Sequence, residues 1–206
     1  RSDWDIVKIS DMTLDGEDNE DSVERDRMYL EEAKNNAIIS AYLEAGAEIT
    51  IKNTYNKVIY IGEEADTDLE IGDIILRVDG IECHDLESVK NLIGTYQEND
   101  VVVIDIIRDG KEMKAKAKLY KTDDGIKIGL ISVLEHEIET KPVIEVKYKN
   151  SESGPSGGLM TALEIYNRLT ENDLTKGRKI IGTGTIEEQG NIGEIGGVKY
   201  KLACAV

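Results

Sequence analysis

Two Asp-Gly dipeptides, Asp79-Gly80 and Asp109-Gly110, restrict what this chain can fold into more than any other feature. A two-residue hairpin that matches strand twist needs positive φ at both central positions, and Asp-Gly supplies it at little cost. Each dipeptide follows an apolar run, Ile74 to Val78 in the first case and Val101 to Ile107 in the second. After the second, Met113, Ala115, Ala117 and Leu119 alternate with Lys114, Lys116 and Lys118, which predicts a half-exposed, lysine-studded strand. Glu48 to Lys52 alternates too, as does part of Lys57 to Ile61. Leu86, Val89, Leu92 and Ile93 mark a short helix whose entry Asp85 can cap. From Glu48 to about Leu119 the texture is therefore that of short strands, tight turns and one helix.

The flanks read differently. Met28, Leu30, Ala33, Ala37, Ile38, Ala41 and Tyr42 recur at helical spacing, which predicts an amphipathic helix from Ser22 to Ala45 ended by Gly46. A second helix is expected from Leu159 to Leu169, with Leu159, Leu163, Ile165, Tyr166 and Leu169 on its apolar face. Asn172-Asp173 and Lys176-Gly177 then turn the chain. Strands are expected at Trp4 to Ile9, Gly125 to Leu134, Pro142 to Tyr148 and, as a buried type, Lys179 to Ile181. Glu188-Gln189-Gly190 reads as a hairpin turn, and Val198 begins a last helix.

Composition narrows the function classes. The chain has 206 residues, enough for one large or two small domains, and 40% hydrophobic residues. A formal net charge of −17 argues against nucleic acid, whose phosphates need clustered Lys and Arg. The acidic block from Asp15 to Asp26 reads as a solvated loop or as a negative lip that filters substrates. Cys83 and Cys204 form no disulfide framework and no metal spacing, so both are expected as free thiols. His84 and His136 lack partners at ligand spacing and read as surface or structural groups. No cofactor or metal is expected, and nothing in the sequence reads as a membrane span or a signal peptide.

One stretch remains, Ser153-Gly154-Pro155-Ser156-Gly157-Gly158-Leu159-Met160. A serine on a glycine-rich turn at a helix start is uncrowded, with peptide N–H groups near any developing negative charge. Gly-Pro-Ser-Gly is also ordinary loop punctuation. A serine nucleophile needs a base, and a lysine amine can take its proton where burial keeps that amine neutral. Lys199 and Lys201 follow a Gly-Gly turn at the start of the last helix, and either alone also reads as a solvated side chain.

Taken together, Gly-Pro-Ser-Gly-Gly-Leu, then Gly-Thr-Gly-Thr-Ile, then Ile-Gly-Gly-Val-Lys-Tyr-Lys resemble the proteolytic domain of Lon-type Ser-Lys peptidases. The segment with Gly72-Asp73-x-Ile-x-x-Val78-Asp79-Gly80, the helix after it and the closing hairpin resemble a bacterial-type PDZ domain. The combination is most similar to the PDZ-containing, membrane-anchored Lon-like peptidases of Gram-positive bacteria. That resemblance implies an α/β (α+β) Lon-type proteolytic domain, discontinuous, with an inserted mainly-β PDZ domain. Residues 1–46 and 121–206 would form the catalytic part, and residues 47–120 the PDZ module.

The resemblance also implies roles. Ser156 would be the nucleophile and Lys201 the general base, with Thr183 orienting the lysine and Gly157 supporting the turn; Lys199 receives no role. A PDZ groove would run between Val58, Ile59 and Tyr60 on one side and Val89 and Leu92 on the other, binding peptide by strand addition. No glycine-rich carboxylate loop is evident before Val58, which leaves capture of a free C-terminus open. The expected activity is ATP-independent cleavage of peptides or extended segments, since no P-loop pattern occurs. The alternative is a peptide-binding adaptor on a silent Lon-like scaffold. The partner expected is a peptide or protein substrate, and the oligomeric state, a ring included, stays open. Family members extend past both ends of this sequence, so a missing N-terminal membrane anchor and an extracellular catalytic part are further expectations, as is a C-terminal part cut short.

Overall fold

A computed structural model describes residues 13–149, 154–171 and 173–205. The expected strand at Trp4 to Ile9, Ser153, Asn172 and the side chain of Cys204 lie outside the described residues. The chain divides into two compact units, Arg1–Arg25 with Tyr55–Leu134, and Asp26–Thr54 with Glu135–Val206.

Helix α1 (Asn19–Ala45) begins at Asn19 rather than Ser22, because Asp18 caps it. The Asp18 Oδ1 accepts from the N–H of Glu20 at 2.7 Å and of Asp21 at 2.9 Å. Gly46, at φ 65°, closes the helix in the left-handed region, and the Ala47 N–H returns to the Tyr42 carbonyl at 2.9 Å. Next, β1 (Glu48–Ile61) runs as one strand where two short ones are expected. Its Glu48–Thr54 portion belongs to the second unit and Tyr55–Ile61 to the first.

The first unit continues with β2 (Asp66–Thr67), β3 (Ile74–Val78), β4 (Ile81–Glu82), α2 (Leu86–Ile93), β5 (Val101–Arg108), β6 (Lys111–Lys118), β7 (Tyr120–Thr122), β8 (Gly125–Lys127) and the start of β9 (Leu130–Lys141). Strand order is β2-β6-β5-β3-β1-β9, with β4 on β3 and a separate β7-β8 hairpin. Asp79-Gly80 joins Val78 to its partner Ile81, and Asp109-Gly110 joins Arg108 to Lys111. All four turn residues have positive φ, between 47° and 79°, as the two-residue hairpin requires. Ala115 and Ala117 face the core, and Lys114, Lys116 and Lys118 face out. Met113, expected inward, is 44% exposed, because β6 has outrun the core there. Val58, Val78, Val102, Ile104 and Ile106 are fully buried and build the core on which α2 packs through Val89 and Ile93.

In the second unit, Glu48–Thr54 of β1 and Glu135–Lys141 of β9 run side by side. Lys52 pairs with Glu139 at 2.9 Å, Asn53 donates to Glu137 at 2.6 Å, and Lys141 pairs with Glu48 at 2.7 Å. The remaining elements are a 3-10 turn (Pro155–Gly157), α3 (Gly158–Leu169), β10 (Thr185–Ile186), β11 (Ile192–Gly193) and α4 (Val198–Ala205). Ala37, Ile38, Ala41 and Tyr42 of α1 pack with Ala162 and Ile165 of α3 and Ile186 of β10. Leu163, expected on the buried face of α3, is 41% exposed.

Three expected strands are corrected. Pro142 to Tyr148 keeps period-two burial from Val143 onward, yet it joins no ladder among the described residues. Lys179 to Ile181 is likewise irregular, with Ile180 and Ile181 about half exposed. Alternation or apolarity alone predicts strand-like backbone, but a strand exists only where a partner meets its N–H and C=O groups. The Gly125 to Leu134 strand is broken at Ile128-Gly129, and its second half continues in β9 to Lys141.

Candidate functional site

The serine stretch stands on a built turn. Gly154, at φ 74°, turns the chain into Pro155–Gly157, and its N–H donates to the Asp26 carbonyl of α1 at 3.0 Å. Pro155 suits the first position of such a turn, where no N–H is needed. The Gly158 N–H is already used, donating to the Pro155 carbonyl. Gly158 is buried because α3 starts hard against α1 and β10: a Cβ there would sit 3.2 Å from Ile186 Cγ2 and 3.6 Å from Ala33 Cβ.

Gly182-Thr183-Gly184 crosses directly beside this turn. A Cβ on Gly182 would lie 2.5 Å from Met160 Sδ, and one on Gly184 2.9 Å from Leu159 Cδ2. Glycine on both sides therefore lets the backbone approach α3 closely and leaves Thr183 as the single side chain at the contact. The Gly184 N–H donates to the Ser156 carbonyl at 2.9 Å, and the Leu159 N–H donates to the Gly184 carbonyl at 3.0 Å. The Thr183 hydroxyl donates to the same Ser156 carbonyl at 3.0 Å and accepts from Lys201 Nζ at 3.5 Å. The Thr183 hydroxyl thus stands between the Ser156 backbone carbonyl and Lys201 Nζ, with the three residues coming from three segments. Lys199 lies elsewhere on α4, with its Nζ 5.6 Å from the centre of the Tyr200 ring.

Ser156 and Gly157 open into a cleft of about 790 Å³. Leu30, Ile144, Val146, Met160 and Ile165 give it an apolar lining. The segment at 144–148, which fails as a strand, forms one wall, and Tyr148 is tied to Thr161 by a 3.0 Å hydroxyl pair. Charges sit at the rim as neutralised pairs, Glu145 with Lys147 at 3.2 Å and Arg168 with Glu164 at 2.6 Å. The cleft offers the Ser156 hydroxyl and room for an extended apolar segment, while Thr183 and Lys201 are not among its lining residues.

The first unit carries a second cleft, of about 750 Å³, and it is not where sequence reasoning puts the groove. Strand β1 lies between β3 and β9, so neither of its edges is free. Val58 uses both backbone groups, donating to the Asp73 carbonyl and accepting from the Gly72 N–H, each at 2.8 Å. Val58 and Ile59 are fully buried, and the Tyr60 hydroxyl donates to the Asp15 carbonyl at 2.6 Å. Val58 therefore has no backbone group left for an added strand. Leu92 packs on the core instead of lining the cleft, whereas Val89 does line it.

The cleft runs between α2, through Leu86, Val89 and Ile93, and the chain from Ile126 to Leu130. Strands β2 and β9 end the sheet order among the described residues, and of the two it is β9 that borders this cleft, through Leu130 and Ser132. Gly129, at φ 92°, makes the bend into it, and a Cβ there would meet the Tyr120 ring at 2.9 Å. The sequence signal for this edge is Ile128-Gly129-Leu130-Ile131, a glycine entering an apolar strand at the far end of the module. Helix α2 itself is firmly started: Asp85 accepts from the Ser88 N–H at 2.6 Å while the Ser88 hydroxyl completes a capping box. The Ser88 N–H, then its hydroxyl, hold the Asp85 carboxyl below the usual carboxylate range.

The family model for the PDZ domain matches residues 33–119. This chain contains a PDZ domain. Among curated proteins, a serine protease Do-like HtrA of Lactobacillus helveticus is 29% identical over 79 residues, covering 35% of this chain. The matched part is 19% of that relative, so the chain spans about a fifth of its length. Among solved structures, the PDZ domain of an SdrC-like protein from Listeria monocytogenes is 23% identical, with a TM-score of 0.35, over 42% of this chain and 93% of that one. A Geobacillus thermodenitrificans protein is 25% identical, with a TM-score of 0.33, over 36% of this chain and 92% of that one.

Proposed function

We propose that the chain is an ATP-independent serine endopeptidase of the Lon-like type, in which Ser156 attacks, Lys201 is the base and the PDZ domain presents peptide segments. The observation that carries this is the Thr183 hydroxyl, which links the Ser156 carbonyl at 3.0 Å to Lys201 Nζ at 3.5 Å. In this mechanism the Ser156 hydroxyl adds to a peptide carbonyl as its proton passes to Lys201 Nζ, which acts as the base. The tetrahedral intermediate collapses when Lys201 returns that proton to the leaving amine, and water then releases the acyl group from Ser156 by the reverse sequence. Thr183 holds the lysine at the serine through both halves. The cleft lined by Ile144, Val146 and Met160 suits an extended substrate.

The α2–β9 cleft supports peptide presentation by strand addition, with β9 as the receiving edge and Gly129-Leu130 at its entrance. The similarity of part of this chain to part of a serine protease Do-like HtrA agrees with a PDZ domain that serves proteolysis. By family resemblance alone, the catalytic part is proposed to act outside the cell, tethered to the membrane.

The test is peptide hydrolysis and fluorophosphonate labelling in the wild type, Ser156→Ala and Lys201→Ala. The peptidase reading expects labelling of Ser156 and at least a hundredfold loss of hydrolysis in each variant. Undiminished hydrolysis in Lys201→Ala sinks the dyad. Peptide binding without any Ser156 labelling leaves the adaptor reading, which the PDZ match favours by itself.

A further inference from the structure

His136 stands in β9 with its side chain 4% exposed, and each of its polar groups is committed to a different element. Its Nε2 lies 2.7 Å from Glu188 Oε1 and its Nδ1 2.9 Å from Thr54 Oγ1. Its backbone carbonyl accepts from the buried Asn35 amide of α1 at 3.2 Å. A carboxylate only accepts, so Nε2 carries the proton toward Glu188, and the Thr54 hydroxyl can donate to Nδ1. Nothing in the hydrolytic mechanism above uses this cluster.

Glu188 occupies the turn of the β10–β11 hairpin. That turn is stiff: the Glu187 N–H donates to the Asn191 carbonyl, and the Gly190 N–H to the Glu187 carbonyl, each at 2.9 Å. Thr185 and Ile186 pair with Gly193 and Ile192, and Ile186 is buried in the second core. Going back along the same strand, Gly184 and Thr183 make the contacts to Ser156. The hairpin is thus a short rigid arm, with Glu188 at one end and the serine contacts at the other.

We propose that His136 and Glu188 are positioning residues for the serine site: by tying the β10–β11 turn to β9, they set Thr183 between Ser156 and Lys201. The inference rests on the peptidase reading for its kinetic consequence and on the hairpin geometry alone for its structural one. Neither residue touches substrate, so the signature is a fall in turnover without a fall in substrate affinity.

The experiment compares Glu188→Ala and Glu188→Gln with the wild type in peptide hydrolysis and in amide hydrogen exchange. Gln can still accept from His136 Nε2, so it should restore the contact. Glu188→Ala is expected to lower kcat at least tenfold with KM within twofold. It should also speed exchange across residues 183–186 at least tenfold at a temperature where the protein stays folded. Glu188→Gln should return both to within about threefold. Should Glu188→Ala not fold, Glu188→Asp, which keeps the charge but falls short by one methylene, makes the same comparison. Unchanged kcat and exchange in the truncated variant, or a loss that Gln does not rescue, overturns the proposal. If the wild type shows no Ser156-dependent hydrolysis, the peptidase reading fails, and the exchange result still decides the positioning contact: acceleration at 183–186 upholds it, none overturns it.

Discussion

Replacing Arg108 by Met tests why the PDZ module carries Gly72-Asp73 before its central strand. Asp73 is fully buried, and its carboxylate receives Arg108 Nε and Nη2 as a two-pronged pair, both at 2.7 Å, plus the Glu70 N–H at 2.8 Å. The same guanidinium donates to the Asp68 carbonyl at 2.9 Å and to Glu70 at 2.6 Å, so it stitches the loop before β3 to the end of β5. Methionine keeps most of the packing volume but leaves the carboxylate one N–H donor and a charge no cation balances. An exposed pair costs roughly 0–1 kcal/mol to break, whereas removing one partner of a buried pair costs about 3–5 kcal/mol. Asp73 is at the buried limit and the Arg108 side chain is 20% exposed, which puts the expected loss at the lower end, about 3 kcal/mol. For a domain of this size that lowers Tm by roughly 12–24 °C, read by calorimetry or circular dichroism. The double variant Asp73→Asn/Arg108→Met removes the stranded charge and should recover more than half of the loss. A drop below about 1 kcal/mol in Arg108→Met, or no recovery in the double variant, would refute the buried-charge argument.

Two further outcomes follow from the same unit. Leu86 is 40% exposed on the α2 wall of the cleft, so Leu86→Glu should leave folding intact and weaken binding of a labelled apolar peptide at least tenfold; unchanged binding, measured by fluorescence anisotropy, would put the peptide elsewhere. Asp85 titrates below its unfolded value of about 3.9, so its capping contribution is complete above that pH and fades as pH falls through the folded value. Asn caps without titrating, so the Tm difference between wild type and Asp85→Asn should shift against the wild type between pH 5 and pH 2, on the order of that carboxylate range. Parallel Tm curves for the two proteins would contradict the sign.

Much of the local structure is legible in the residues because its energies are local. Asp79-Gly80 and Asp109-Gly110 carry the positive φ their hairpins need, Asp85 begins α2, Gly46 ends α1, and helical spacing marks the faces that α1 and α3 bury. Gly182 and Gly184 stand out as a pair flanking Thr183, although only the close approach to Met160 and Leu159 explains them. What the tertiary structure decided was pairing over long separations. Lys57 to Ile61 has the pattern of a groove strand, yet β1 lies between β3 and β9, and the cleft is bordered by a strand that follows it by some seventy positions. Pro142 to Tyr148 has the period of a strand and became a cleft wall, because alternation specifies a face and not a neighbour. His136 lacks any partner at ligand spacing and finds Glu188 and Thr54 only once β1, β9 and the hairpin are packed. Backbone preference is written into each dipeptide and cap; which edge stays open and which polar groups meet depend on how the whole chain closes on itself.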